Sequence, residues 1–231
     1  MSLHTVGFLA DLGRTSLGIV LSPYDVPSGG SVTPTNFRWE RVRMGFVSAY
    51  VYQRGTEATL IDTGTPRNEE NISRVVAAMG LGWHSIGHVI VTHHHNDHQG
   101  SLVGVLDLAT DATPYAGKLD IPSITSTRPV VPVGDGDTVM GLRIVDTPGH
   151  TPGHISVLDP GRVLFAGDAL IGEAGFPAGP DPDFTEDMEV AWRSVAKLAG
   201  LPYEVAVFGH GEPAAYGASD AVASLVKSRE K

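Results

Sequence analysis

Short apolar runs recur along the chain and predict most of its strands. The runs at 46–52 and 57–62 flank Arg54 and Gly55, and together they predict a β-hairpin. Further short runs predict strands at 89–91, 139–145, 155–158, 162–166 and 205–208. The runs are too short for typical helices, and several are bounded by glycine or proline, which favours strands.

Three segments instead carry apolar residues at helical spacing. Ile72, Val75, Val76 and Met79 predict a helix, with Pro66 placed where it could begin. The same spacing predicts a helix over 188–198 and a last one over 221–226, whereas the Ser-, Pro-, Gly- and Thr-rich segment 22–37 predicts a loop. Because strands and helices are mixed throughout, we expect an α/β or α+β fold with sheets covered by helices.

Length and composition indicate a globular protein. The 231 residues are 42% hydrophobic and 18% charged, so we expect one domain over 1–231, with 1–40 as an N-terminal extension or loop region. No apolar run approaches the roughly 18 residues of a membrane span. The N-terminus lacks the pattern of an intact signal peptide. A cytoplasmic protein is therefore expected, although a signal peptide removed earlier stays open.

Charge and cysteine content narrow the chemistry. The formal charge is −10 and no cluster of Lys or Arg occurs, so nucleic acid is not an expected partner. We expect a small-molecule substrate and leave a homodimer open. The chain has no cysteine, which excludes disulfides, thiolate catalysis and cysteine-ligated zinc. Any metal must therefore be held by nitrogen and oxygen atoms.

A histidine-rich run supplies such atoms. Four histidines and one aspartate lie within 93–98, directly after the apolar run 89–91. Neutral imidazole and carboxylate are ligands for borderline transition metals. We expect the segment to be extended, so that His93 and His95, two residues apart, point to the same side.

Three more apolar runs lead to residues of the same kind. They end at His150, Asp168 and His210, each directly preceded by glycine. Glycine permits unusual backbone angles and close chain approach, and strand ends can converge at one edge of a sheet. The seven candidates are His93, His95, Asp97, His98, His150, Asp168 and His210. Seven exceed the needs of one catalytic zinc but suit two metals, with a carboxylate of Asp168 as the bridge.

The run Thr92-His93-His94-His95-Asn96-Asp97-His98 resembles the HxHxDH signature of the metallo-β-lactamase-fold hydrolase superfamily. The resemblance continues through the segments Leu60-Ile61-Asp62-Thr63-Gly64, Thr147-Pro148-Gly149-His150, Phe165-Ala166-Gly167-Asp168 and Phe208-Gly209-His210-Gly211, over about 40–215. It implies a four-layer αββα sandwich. It also implies that His93, His95 and His150 hold one metal, that Asp97, His98 and His210 hold the other, and that Asp168 bridges.

Other residues near the motifs receive supporting roles or none. In similar proteins an aspartate at the position of Asp62 supports the metal loop, so we expect it to bond to the ligands. His154 is expected either to bond near His150 or simply to pack. His94 should point away from the site, and His4, His84 and His88 lack a matching context.

The implied function is hydrolysis. Two divalent ions, zinc first and manganese or iron as alternatives, would bind a bridging water and lower its pKa to give hydroxide. That hydroxide would cleave an ester, thioester or lactone of a small molecule, with Asp168 as bridge and Asp97 orienting the nucleophile or moving a proton. The core is similar to glyoxalase II. Few residues follow His210, so its glutathione-binding C-terminal domain is not expected.

Alternatives on the same fold stay open. They are an iron-dependent oxidoreductase similar to persulfide dioxygenases, although those carry a Cys where His154 stands, and a β-lactamase or phosphodiesterase. The segment 172–187, with Phe176 and Phe184, is a candidate pocket wall or lid, and 22–37 is a second candidate.

Overall fold

The computed structural model describes residues 37–229. The predicted loop at 22–37 therefore lies outside the described residues except for Phe37, as do His4 and the second lid candidate. The supposed N-terminal extension 1–40 overlaps the described part, and its last four residues belong to a regular strand that begins at Phe37.

The elements fall into two halves. The first half contains β1 (Phe37–Met44), β2 (Val47–Arg54), β3 (Glu57–Ile61), α1 (Glu69–Ala78), β4 (Ile86–Val91), α2 (Asn96–Gln99), α3 (Leu102–Leu108), β5 (Thr113–Gly117) and β6 (Val131–Val133). The second contains β7 (Thr138–Val139), β8 (Leu142–Asp146), β9 (Ile155–Asp159), β10 (Val163–Phe165), β11 (Ile171–Glu173), β12 (Phe176–Ala178), α4 (Met188–Ala199), β13 (Val205–Val207) and α5 (Ala218–Arg229). Short 3-10 turns lie at Trp83–Ser85 and Ile121–Ser123.

The strands form two main sheets. One has the order β1-β2-β3-β4-β5-β6, antiparallel from β1 to β3 and parallel from β3 to β6. The other has the order β13-β10-β9-β8-β7 and is antiparallel except where β10 meets β13. A two-stranded ribbon of β11 and β12 stands apart.

Alternate side chains of β2 pack into two different core clusters, one on each face of the first sheet. Val47, Ala49 and Val51 belong to a core cluster that includes residues of α1 and α3, whereas Tyr50 and Tyr52 belong to a cluster with residues of the second sheet. Successive side chains of a strand point to opposite faces, so β2 is apolar on both. A third cluster joins α4 and α5 to the outer face of the second sheet. The predicted αββα sandwich is confirmed.

Several elements differ from the sequence predictions. The predicted strand 139–145 is two strands, because Met140 and Gly141 have φ of 50° and 78° and form a turn. The helix α1 begins at Glu69 rather than near Pro66. The elements β1, β5, β6, α3, β11 and β12 were not predicted. Within residues 37–229 no helix is long and apolar enough to cross a membrane.

Candidate metal centre

The seven candidate residues meet at one edge of the two sheets. The segment after β4 supplies four of them, and the residues that follow β8, β10 and β13 supply His150, Asp168 and His210. Their donor atoms form three groups, each with all its atoms within 4.8 Å of one another. The groups are His93 with His95 and His150, His93 with His98 and Asp168, and Asp97 with His98 and His210.

The histidine-rich run is not extended, contrary to the expectation from alternation. β4 ends at Val91, residues 92–94 bend, and the short helix α2 begins at Asn96. His93 and His95 still meet, with ring centroids 4.7 Å apart. The bend allows α2 to present Asp97 and His98 to the same site.

Asp168 stands between the two outer groups. Its Oδ2 lies 3.2 Å from His210 Nε2, 3.4 Å from His98 Nε2 and 3.5 Å from His150 Nε2. The same oxygen is 3.9 Å from His93 Nε2. One carboxylate oxygen therefore faces imidazoles of both groups.

The first group is the more enclosed. His95 Nδ1 lies 3.0 Å from His150 Nε2, and the rings of His93 and His150 are 4.6 Å apart. His93 is fully buried, and its Nε2 has no hydrogen-bond partner among the described residues. Three ring nitrogens thus converge on one small volume.

The second group is more open to solvent. Asp97 Oδ2 lies 3.3 Å from His210 Nε2, and His98 Nε2 lies 3.4 Å from the same nitrogen. His98 is buried, whereas Asp97 and His210 are half-buried. This half of the site therefore faces the space where a substrate could enter.

The outward ring nitrogens of three histidines have their own partners. His98 Nδ1 lies 2.9 Å from Asp62 Oδ2, His210 Nδ1 lies 3.1 Å from the Phe46 carbonyl, and His93 Nδ1 lies 3.1 Å from Thr92 Oγ1. A histidine that donates its outer N–H in this way directs the other nitrogen's lone pair inward. The three Nε2 atoms therefore face the interior of the site.

Asp62 anchors the histidine-rich run. Its carboxylate accepts hydrogen bonds from the Thr92 amide at 2.7 Å and the Thr92 hydroxyl at 2.8 Å, in addition to the contact with His98. Asp62 has a φ of 60°, which is unusual for a residue with a Cβ and costs about 1–2 kcal/mol. Asp62 thus bonds both to Thr92 at the start of the histidine-rich run and to His98 near its end.

His154 bonds to Asp168 rather than to His150. The Asp168 amide donates to His154 Nε2 at 3.0 Å, and His154 Nδ1 lies 2.8 Å from Thr147 Oγ1. A hydrogen-bond chain continues from Thr147 to Ser156 and ends on the Ala166 carbonyl. Since Nε2 accepts, the proton of this neutral ring sits on Nδ1. His154 therefore fixes the backbone that carries Asp168.

Asp120 ties together two segments of the site and was missed in the sequence. This buried carboxylate accepts from the His94 amide at 3.0 Å, the Thr151 hydroxyl at 2.6 Å and the Gly153 amide at 2.7 Å. Its position just after β5 was the available signal, because the other site residues also follow strands. His94 Nδ1 lies 3.1 Å from Asp120, so that ring points away from the metal groups as expected.

The three glycines before His150, Asp168 and His210 serve two purposes. Gly149 and Gly167 have φ of 128° and 57°, a region that L side chains rarely adopt. Gly209 has no such φ, but a Cβ there would collide with Asp168 Oδ1 and the His98 ring. The glycines are thus required by backbone angle at two places and by close approach at the third.

Burial and neighbouring charges shift the pKa values of the candidate residues in different directions. Burial lowers the pKa of His93 well below its ordinary value and lowers that of His150 to about 4. Burial opposes protonation of His210 as well, but hydrogen bonds to Asp168 and Asp97 outweigh it and raise its pKa to about 10. Burial would raise the pKa of Asp168, but the charge of His98 and hydrogen bonds from His210 and His98 hold it well below its ordinary value.

The arrangement fits divalent metal ions. His93 Nε2 and Asp168 Oδ1 are buried without hydrogen-bond partners in the described part of the chain. Such orphaned atoms are costly unless another group satisfies them, and bound cations are one kind of group that would do so. The donors are imidazole and carboxylate, which suit zinc, manganese and iron.

A cavity of about 580 Å³ opens over the centre. Its floor is formed by residues of the candidate site: His95, Asp97, His150, Asp168 and His210. Its walls include Phe46, Ile171, Asp181 and Phe184. The segment 172–187 therefore contributes to the wall through Asp181 and Phe184, whereas Phe176 is not among the lining residues.

Sequence comparison finds proteins that are related to this chain. A family model described as the metallo-beta-lactamase superfamily matches residues 42–210. The chain is 32% identical over 199 residues to a probable metallo-hydrolase of Bacillus subtilis (strain 168), covering 67% of this chain and 75% of that protein. It is 32% identical over 164 residues to a hydroxyacylglutathione hydrolase of Cupriavidus taiwanensis, covering 65% of this chain but only 57% of that protein.

Solved structures show the same fold. A metallo-beta-lactamase family protein of Thermus thermophilus superposes with a TM-score of 0.65 at 23% identity, covering 84% of this chain and 79% of that one. A protein solved in a di-iron-bound form has a TM-score of 0.61 at 25% identity, covering 83% of this chain and 96% of that one. The chain belongs to the metallo-beta-lactamase superfamily and is a hydrolase of that superfamily.

Proposed function

We propose that the protein hydrolyses a small-molecule thioester, ester or lactone at a two-metal site. The observation that carries the proposal is the seven-residue cluster on the floor of an open cavity, with two buried atoms left unpaired among the described residues. The similarity to proteins named hydroxyacylglutathione hydrolase supports a carbonyl–sulfur bond as the first bond to test. Because the chain spans only about half of their length, their substrate is not transferred with their name.

The ligand roles follow from the observed groups. His93, His95 and His150 would hold one ion, Asp97, His98 and His210 the other, and Asp168 would contact both. Two divalent ions supply Lewis acidity that activates water and polarises a carbonyl at neutral pH. Zinc is our first choice. Iron is the main alternative because one related structure was solved with two irons.

Asp97 is suited to orient the attacking water. Burial alone would raise its pKa, but the hydrogen bond from His210 and the charge of His98 lower it below the ordinary value, so the carboxylate is ionised at neutral pH. It lines the cavity and is only half-buried. Asp97 would therefore accept a hydrogen bond from the attacking water and orient it.

Asp62, Asp120 and His154 would keep this geometry rigid. They hold, respectively, the segment after β4, the contact between that segment and 151–153, and the backbone of Asp168. Preorganised ligands lower the cost of reaching the reactive arrangement. The reaction would then need no nucleophilic serine.

The test is hydrolysis by metal-quantified protein. Thioesters, lactones, β-lactams and phosphodiesters are assayed with the unaltered protein and with a His95→Ala, Asp168→Ala double variant. We expect thioester or lactone hydrolysis that the double variant lacks. Equal rates for the two proteins would refute the proposal.

An iron-dependent oxidoreductase on the same fold is the second candidate, because imidazole and carboxylate donors suit iron and one related structure was solved with two irons. Oxygen uptake by iron-loaded protein in the presence of a persulfide would identify that activity. Hydrolysis without oxygen uptake would exclude it for the substrates assayed.

A further inference from the structure

The walls of the cavity are mostly apolar and carry one carboxylate, whereas its floor consists of candidate metal-binding residues. The walls therefore bear on which substrate can bind. We propose that the substrate presents an apolar group to Phe46 and Phe184 and carries no negative charge there, with Asp181 as the residue that rejects anions. The inference rests on the proposed function, because it concerns the molecule hydrolysed at that site. It goes further by naming the charge and polarity of that molecule.

Two exposed aromatic rings line the cavity. Phe46 lies in the tight turn between β1 and β2 and is 68% exposed, and Phe184 is 66% exposed. The Phe46 ring stacks on His210, with centroids 5.8 Å apart and planes at 7°. An apolar group bound there would remove both rings from water, and such burial favours binding. Ile171 extends the apolar wall.

One short turn places a carboxylate beside the second ring. Asp181 Oδ1 accepts a hydrogen bond from the Asp183 amide at 3.0 Å, and the Asp181 carbonyl accepts one from the Phe184 amide at 3.4 Å. The turn therefore fixes Asp181 and Phe184 relative to each other. An apolar ring and a negative charge thus belong to the same short turn of the cavity wall.

Among the described residues that line the cavity, none is Lys or Arg. The arginines on β1 nearest to Phe46 are both engaged: Arg41 and Arg43 pair with Glu212 at 2.9 Å and 2.8 Å. Among the described side chains of this wall, an anionic substituent would therefore meet the carboxylate of Asp181 and no Lys or Arg. Metal ions on the floor would attract the reacting carbonyl of every substrate alike, so the walls decide between substrates.

This arrangement sets an expectation for glutathione thioesters, the substrates implied by the names of several relatives. Glutathione carries two carboxylates, and recognition of carboxylates normally uses Arg or Lys. The described walls offer neither. We therefore expect neutral aromatic or aliphatic thioesters to be better substrates than glutathione thioesters.

The experiment compares two thioesters that differ by one charge. S-benzyl phenylthioacetate and its analogue with a carboxylate on the benzyl ring are hydrolysed by metal-loaded protein at low ionic strength. A unit charge near Asp181 should reduce kcat/KM by roughly tenfold. Asp181→Asn should bring the ratio of the two kcat/KM values towards one, and Asp181→Lys should reverse it. Asp183→Asn, an exposed neighbour outside the cavity lining, should change the ratio much less than Asp181→Asn does.

A binding measurement keeps the inference separate from catalysis. The dissociation constants of N-benzyl phenylacetamide and its carboxylate analogue are measured by calorimetry. Phe184→Ala should weaken binding of the neutral amide by about tenfold. Phe176→Ala, which removes an equally exposed ring outside the cavity lining, should not.

The outcomes separate the two proposals. If neither thioester is hydrolysed but the amides bind with the expected charge and ring dependence, the thioesterase proposal fails and the inference about the walls stands. If the carboxylate analogues are turned over and bound as well as the neutral compounds, the inference is overturned while hydrolysis stands. An unchanged ratio in Asp181→Asn also overturns it.

Discussion

Asp62 and His98 lie 36 residues apart, yet His98 Nδ1 is 2.9 Å from Asp62 Oδ2. Asp62 directly follows β3 and His98 lies in α2, and both are buried. Through this contact, the residue that follows β3 holds in place a ligand of the proposed second metal. It is the kind of outer carboxylate–histidine pair that orients metal ligands in many enzymes.

Asp62→Asn should weaken binding of the second metal. The amide keeps the size of the side chain but removes the charge that orients His98, so we expect about 10–100-fold lower metal affinity. Metal competition titrations would measure this. Asp159→Asn is the matched control, because Asp159 is also buried and accepts from Tyr52 at 2.7 Å, but at a site unrelated to the ligands. Equal losses of affinity in both variants would contradict the assigned role.

Gly209→Ala should disrupt the site while leaving the backbone conformation allowed. The added Cβ meets Asp168 Oδ1 and the His98 ring, so we expect at least about a tenfold loss of metal affinity. Gly87→Ala is the control, because Gly87 also lacks a positive φ and a Cβ there meets nothing within 4 Å. Normal metal content and activity in Gly209→Ala would show that the close approach is not required.

Asp120→Ala should lower stability even without metal. It leaves the amides of His94 and Gly153 and the hydroxyl of Thr151 without their acceptor, at a cost of about 1–3 kcal/mol or more in the free energy of unfolding. Denaturant unfolding of chelated protein measures that cost. Asp137→Ala removes an exposed carboxylate that accepts from a single amide, so it should have a much smaller effect. Similar values for the two variants would argue against a special role for Asp120.

Removal of metal should lower the melting temperature reversibly. The buried atoms His93 Nε2 and Asp168 Oδ1 have no hydrogen-bond partner in the described residues, and bound ions would stabilise the folded state. At about 100 times the dissociation constant, this stabilisation is about 2.7 kcal/mol, or roughly 5–10 °C. Calorimetry before and after chelation, followed by addition of zinc, iron or manganese, measures it. An unchanged melting temperature would indicate that no ion binds these atoms.

Much of the fold could be predicted from the sequence where the pattern was strong. The hairpin around Gly55, the helices α4 and α5 and the strands before the site residues follow from apolar periodicity. Weak patterns failed: β5 contains Pro114, β6 contains Pro132 and α3 contains Gly104, and these residues oppose the elements that they occupy. Tertiary packing overrides such local preferences.

The sequence by itself determined which groups could bind metal, because residue chemistry and position after apolar runs are visible in one dimension. The tertiary structure decided which of them meet. It placed Asp168 Oδ2 between both groups, joined Asp120 to two segments distant in sequence and set Asp181 beside Phe184 on the cavity wall. These contacts depend on strand pairing and on the packing of two sheets, and such long-range geometry leaves little mark on local sequence pattern.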